Sequence, residues 1–130
     1  MQERDRHQER RRSFITETMF SHPSKVDLVE RSVEAGFLVH LHVIMVPVDL
    51  KVQRVSERVR RGGHNVPEPK IRERYPRLWR LVVEARRIAH WTDFYDNSNP
   101  RTPHRHVASY ERSVLIGHAQ WPQWTPEELL

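Results

Sequence analysis

Two runs of basic residues flank a double glycine, and each is spaced to gather cations along a helix. Arg54, Arg58 and Arg61 recur at intervals of four and three, so a helix puts them in one stripe, with Val52, Val55 and Val59 on the opposite side. Gly62-Gly63 then stops the helix, since glycine accepts the positive φ of a C-terminal cap. Pro67 with Glu68 opens a second helix carrying Lys70, Arg72, Arg74 and Arg77. Guanidinium forks match phosphate oxygens bidentately. Two cationic helices around a flexible turn therefore have the makings of a lid that closes over phosphate. The plainer alternative is a pair of solvated amphipathic helices joined by a loop.

Other residues could do chemistry at strand ends. Glu17 and Thr18 fall at the end of a predicted strand, the place where open α/β sheets hold ligands. They could equally cap the helix that follows. Asp96-Asn97-Ser98 also ends a predicted strand, and forms either a ligand-facing loop or an ordinary Asx turn. His64, directly after the glycines, is read as a phosphate contact or as part of the helix stop. His40 and His42 lie two apart on a strand and so face the same way, a spacing that can bind metal. No acidic or third histidine partner is evident in the sequence. The same holds for His104 and His106, so no metal site is expected. Trp79, Trp121 and Trp124 are read as packing residues rather than base-stacking platforms.

The elements that must position these groups alternate between strand and helix. Residues 1–12 are almost wholly charged or polar and are expected to form a frayed or disordered basic arm. Ser13–Thr18 reads as a strand, and Ser21, Pro23 and Ser24 supply helix-start chemistry. Val26, Val29 and Val33 share one face of the next helix, with Leu28 beside them, and Gly36 closes it. Phe37–Val46 is an apolar run of the kind buried on both faces of a parallel sheet. Asp49 is read as the cap of the following helix. Ile71, Tyr75, Leu78, Val82, Ala85 and Ala89 mark a core-facing stripe, which Pro76 is expected to kink or split near Arg72–Tyr75. Trp91–Asp96 is a further strand. His106–Tyr110 and Ser113–Gly117 read as a hairpin turning at Glu111-Arg112.

At 130 residues the chain is one domain at most. Cysteine is absent, which excludes disulfides and thiolate chemistry and agrees with a cytoplasmic protein. No apolar run approaches the ~20 residues of a membrane span, and the N-terminus has no secretory h-region. The formal charge of +5 admits a polyanionic partner without choosing one.

The run Arg54-Val-Ser-Glu-Arg-Val-Arg-Arg-Gly-Gly-His-Asn-Val-Pro-Glu-Pro-Lys-Ile-Arg-Glu-Arg-Tyr75, with Phe14-Ile-Thr-Glu-Thr18 before it and Tyr95-Asp-Asn-Ser98 after it, resembles the zeta-toxin family of P-loop kinases. That family includes UDP-N-acetylglucosamine kinases. The resemblance implies a P-loop-kinase-type α/β domain over 13–130, a three-layer sandwich with a mostly parallel sheet and a C-terminal hairpin. It implies ATP and Mg²⁺ as cofactors, a nucleotide sugar as substrate and an antitoxin protein as a possible partner. By motif position, Arg58 and Arg74 would act catalytically on the ATP phosphates, with Arg54, Arg61 and His64 beside them. Asp96, Asn97 and Ser98 would lie next to the adenine, and Glu17, Thr18 and Ser21 would face the sugar nucleotide.

The chain departs from the family in one respect. Phosphoryl transfer by a P-loop kinase needs Gly-x-x-x-x-Gly-Lys-Ser/Thr. The four glycines here, Gly36, Gly62, Gly63 and Gly117, do not form it. The family carries that motif, with its catalytic aspartate, upstream of the Glu-Thr segment. The chain is therefore expected to be a C-terminal portion, lacking the first strand of the sheet and inactive as it stands. Two readings from other classes remain: a small basic protein that binds nucleic acid without sequence preference, and a catalytically dead partner-binding remnant.

Overall fold

The computed structural model describes residues 24–130. The basic arm at 1–12, the strand expected at 13–18, and Glu17, Thr18 and Ser21 lie outside the described residues. Within them the order is helix α1 (Ser24–Glu34), strand β1 (His40–Met45), helix α2 (Val48–Arg60), helix α3 (Glu68–Ile88), strands β2 (Trp91–Asp96), β3 (Arg105–Glu111) and β4 (Val114–Ile116), and a 3-10 turn at Glu127–Leu129. The strands form one sheet in the order β1-β2-β3-β4.

The sheet is mixed, which corrects the expectation of a mostly parallel one. Only β1 and β2 run parallel, linked by the α2–α3 crossover; β2–β3 and β3–β4 are antiparallel. The reason lies in the connections. A parallel neighbour needs a crossover of a dozen or more residues, and after β2 the chain offers only short returns. The last is the two-residue turn Arg112-Ser113, where Arg112 takes φ 55° while Glu111 and Val114 pair across it.

The core sits on one face of this sheet. Val26 and Val29 of α1 and Trp79, Leu81, Val82 and Ala85 of α3 cluster with Val43, Met45, Phe94, Val107 and Ala108 of the strands. Gly36, at φ 92°, ends the stretch after α1 as its sequence position predicts. The run at 37–46 is shorter as a strand than it is as an apolar stretch, and it is buried on one face only. Val43 and Met45 point into the core, while His40, His42 and Ile44 are exposed.

Helix α3 runs unbroken through Pro76. A mid-helix proline forfeits one hydrogen bond at a cost of about 3 kcal/mol. Downstream, Trp79, Leu81, Val82 and Ala85 are all buried. At roughly 1.5–3 kcal/mol per large apolar side chain, that burial outweighs the proline. Helix α2 is held quite differently, with no buried residue along its length. Pro47 rather than Asp49 is its N-cap, and no side chain caps it. Val52, Val55 and Val59 instead line a groove of about 210 Å³ shared with Val66 and Ile71.

Candidate functional site

The parallel pair ends in register, Met45 opposite Asp96, and the Asn97 N–H continues the ladder by donating to the Met45 carbonyl at 2.9 Å. Both strands thus present their carboxyl ends at one edge, the usual ligand side of an open α/β sheet. Asp96 is 8% exposed and its two oxygens are both engaged: Oδ1 accepts from the Ser98 N–H at 2.8 Å and Oδ2 from Arg105 at 3.3 Å. Burial works against its charge, but the bonds from Ser98 and Arg105 more than compensate and hold the carboxyl below its ordinary value. The Ser98 bond makes Asp96-Asn97-Ser98 an Asx turn at the strand end. Asn97 Oδ1 fastens the following loop by accepting from the His104 N–H at 3.2 Å.

Helix α2 starts three residues after β1 ends. Arg54 Nη2 donates to the Asn97 carbonyl oxygen at 3.1 Å. Farther along, Arg58 and Arg74 share a neighbourhood. The Lys51 ammonium, pushed down first by burial, is pushed down further by the charges of Arg58 and Arg74. Lys51 also lies 5.9 Å from the centroid of the Tyr75 ring. The Tyr75 hydroxyl donates to the Val46 carbonyl at 2.6 Å, and burial pushes its pKa up to about 12, so it stays protonated. Cations from both helices therefore converge beside the strand ends.

The glycines explain how Arg58 is set. Gly62 N–H donates to the Val59 carbonyl at 3.0 Å and Gly63 N–H to the Arg58 carbonyl at 2.8 Å, a Schellman pair. Gly62 takes φ 92°, and a β-carbon at Gly63 would stand 2.9 Å from the Arg58 carbonyl oxygen. Two different constraints thus select two adjacent glycines. Arg61 is the C-cap residue, and both it and His64 are exposed.

Ion pairing sorts the remaining cations. Arg72 straps the two helices, 2.8 Å from Asp49 and 3.6 Å from Glu68, and Arg77 lies 3.9 Å from Glu73. Arg54, Arg58, Arg61 and Arg74 have no carboxylate partner among the described residues. Lys51 was not singled out in the sequence, although it was legible there: positions 51, 54, 58 and 61 continue one stripe at intervals of three and four.

A second polar cluster occupies the exposed face of the sheet. Asp93, opposite His42 in the register, has Oδ2 2.5 Å from His40 Nε2. Its Oδ1 accepts from Ser109 Oγ at 2.5 Å and lies 2.9 Å from His106 Nε2. Burial opposes the Asp93 charge, but these bonds bring its pKa down to about 2. His42 Nδ1 lies 2.9 Å from the Tyr95 hydroxyl. A β-bulge makes the cluster possible. Phe94 pairs with Ala108 but Tyr95 with His106, so Val107 is an extra residue, and Val107 and Ala108 both face the core. His106 and Ser109, three apart, consequently share the outer face. The sequence offered His40 and His42 without a partner; strand pairing supplies one.

The described residues thus form a mixed α/β sheet with an arginine-bearing helical arm beside its carboxyl edge. The zeta toxin family model matches residues 2–100, more than half of the chain, and the chain belongs to that family. The family is P-loop kinase-like and uses nucleotide and metal. No curated protein and no solved structure matches the chain. The match takes in both arms of the glycine turn and Asp96–Ser98, and stops short of β3. No helix among the described residues is long and apolar enough to cross a membrane.

The residues present fit one of the family's two cofactor components. Lys51, Arg58, Arg61 and Arg74 are cations suited to a polyphosphate. Mg²⁺ asks for hard oxygen donors. The carboxylate at this edge, Asp96, is held by the Ser98 N–H and paired with Arg105, so it would have to give up that arginine to serve as its ligand.

Proposed function

We propose that the α2–α3 arm is a phosphate clamp of zeta-toxin type, in which Arg58 and Arg74 grip the phosphates of ATP. The carrying observation is that the arm bearing both arginines is tied to the strand ends, through the Arg54 bond to the Asn97 carbonyl and the Tyr75 bond to the Val46 carbonyl, with Lys51 5.9 Å from the Tyr75 ring between them. Arg61 and His64, on the open side of the glycine turn, would complete the clamp, and Asn97 and Ser98 would border the base. On the family's pattern the acceptor is a nucleotide sugar such as UDP-N-acetylglucosamine, held by Glu17, Thr18 and Ser21, with an antitoxin protein as partner in the cytoplasm. The 130 residues contain no Gly-x-x-x-x-Gly-Lys-Ser/Thr. Weak ATP binding without turnover is therefore the expectation for this polypeptide alone.

The test is titration of a fluorescent ATP analogue into the 130-residue chain at low salt. Arg58→Ala and Arg74→Ala are each expected to weaken binding about tenfold, the worth of one charge-assisted hydrogen bond. Unchanged affinity in the double variant overturns the clamp. Salt-sensitive duplex binding that ATP does not displace would favour the nucleic-acid reading instead.

A further inference from the structure

We propose a second site, unconnected with the phosphate clamp: a surface metal site for a divalent transition ion such as Zn²⁺, with His40, His42 and Asp93 as its ligands. Each offers one donor atom, and these atoms all lie within 4.8 Å of one another. Ligands of a tetrahedral Zn²⁺, at bond lengths of about 2.0–2.2 Å, stand roughly 3.3 Å apart. Modest side-chain rotation covers the difference, because both imidazoles lie on the exposed face of the sheet. The two rings already lie together, their centroids 4.2 Å apart.

The surroundings have the arrangement that orients metal ligands. A ligating carboxylate or imidazole is normally held by a hydrogen bond at its other polar atom. Asp93 turns Oδ1 to Ser109 and His106, which leaves Oδ2 on the side of His40. Tyr95 Oη meets His42 at Nδ1. With Tyr95 accepting from Nδ1–H, the lone pair of Nε2 is free for the ion. Every ligand thus has a point of purchase except His40, which would exchange its bond to Asp93 for the metal.

The donor set decides the class of ion. Two imidazoles and one carboxylate suit Zn²⁺, Co²⁺, Ni²⁺ or Cu²⁺, whereas Mg²⁺ and Ca²⁺ prefer all-oxygen shells. Three protein ligands at an exposed surface leave the fourth position to water. Neither the chemistry nor the place is that of a nucleotide-bound Mg²⁺. The donors are largely nitrogen, and they sit on the sheet face rather than at its carboxyl edge. His106 and Ser109, which steady Asp93, lie beyond the residues matched by the family model.

The test uses the full 130-residue chain and Zn²⁺ alone, in competition with a chromophoric chelator. One equivalent should bind, and Co²⁺ in its place should give the visible absorption of a four-coordinate ion. His42→Gln should weaken binding at least about tenfold, and His106→Gln about tenfold through loss of the Asp93 support. His118→Gln, on the tail outside the cluster, should change nothing. Absence of stoichiometric binding overturns the proposal, as does wild-type affinity in a His40→Gln/His42→Gln double variant. If a variant fails to fold, imidazole NMR of the unaltered chain decides. Zn²⁺ should shift the His40 and His42 ring resonances and spare His118; the reverse pattern refutes the site.

Discussion

Arg54 reaches from helix α2 to the backbone of the loop after β2, its Nη2 3.1 Å from the Asn97 carbonyl oxygen. That contact adds to what the half-buried apolar face of α2 supplies, since no residue of the helix is fully buried. Arg54→Met keeps most of the stem and removes the bond. We expect a loss of about 1 kcal/mol, the net worth of a partly solvated hydrogen bond. Amide hydrogen exchange should quicken across α2 while α3 keeps its protection. Equal quickening in both helices would show that the contact does not hold α2 specifically.

The glycine pair separates two mechanisms. Gly62→Ala should cost about 1–2 kcal/mol for a side chain at positive φ. At Gly63 the backbone angle is permissive, but the new β-carbon meets the Arg58 carbonyl oxygen at 2.9 Å. Gly63→Ala should therefore move Arg58 as well as lower the melting temperature, and should weaken the ATP analogue more than Gly62→Ala does. Calorimetry beside binding distinguishes them.

Arg72 makes the shortest arginine–carboxylate contact of the arm, at 2.8 Å to Asp49, yet both partners are exposed. Solvent screening leaves such pairs close to neutral. Arg72→Ala is expected to leave both the melting temperature and nucleotide binding unchanged within error. A marked fall in either would show that the strap sets the angle between the helices.

Asp96 predicts the acid limb of stability. Its folded carboxyl titrates below the ordinary value of 3.8, so the unfolded chain takes up the proton first. The stabilisation is complete above that ordinary value, declines as the pH falls beneath it, and is gone below the folded value. Asp96→Asn should flatten this part of the curve in urea melts recorded between about pH 2 and pH 5. An unaltered acid limb would assign it to other carboxylates.

Much of this was legible in the chain. The helix faces of α1 and α3, the limits of β2 and the stop at Gly62-Gly63 follow from local chemistry, which the structure leaves in force. The apolar run at 37–46 looks two-sided and so suggests a mostly parallel sheet, whereas His40, His42 and Ile44 leave one side of β1 open. Pro76 does not split α3, because its cost is local and the burial that offsets it lies beyond it. Asp93 and His106 are 13 residues apart and reach one another through a register that no local pattern encodes.

That register hangs on one supernumerary residue. Val107 is the residue the bulge absorbs, and so His106 and Ser109, three apart, both look out beside Asp93. A straight β3 that kept every residue would set those two on opposite faces, because side chains alternate along a strand, and Asp93 would surrender one of its two anchors to the interior. Removing Val107 would instead leave them two apart and still side by side, so the outward grouping depends on the kink only for as long as the extra residue is there.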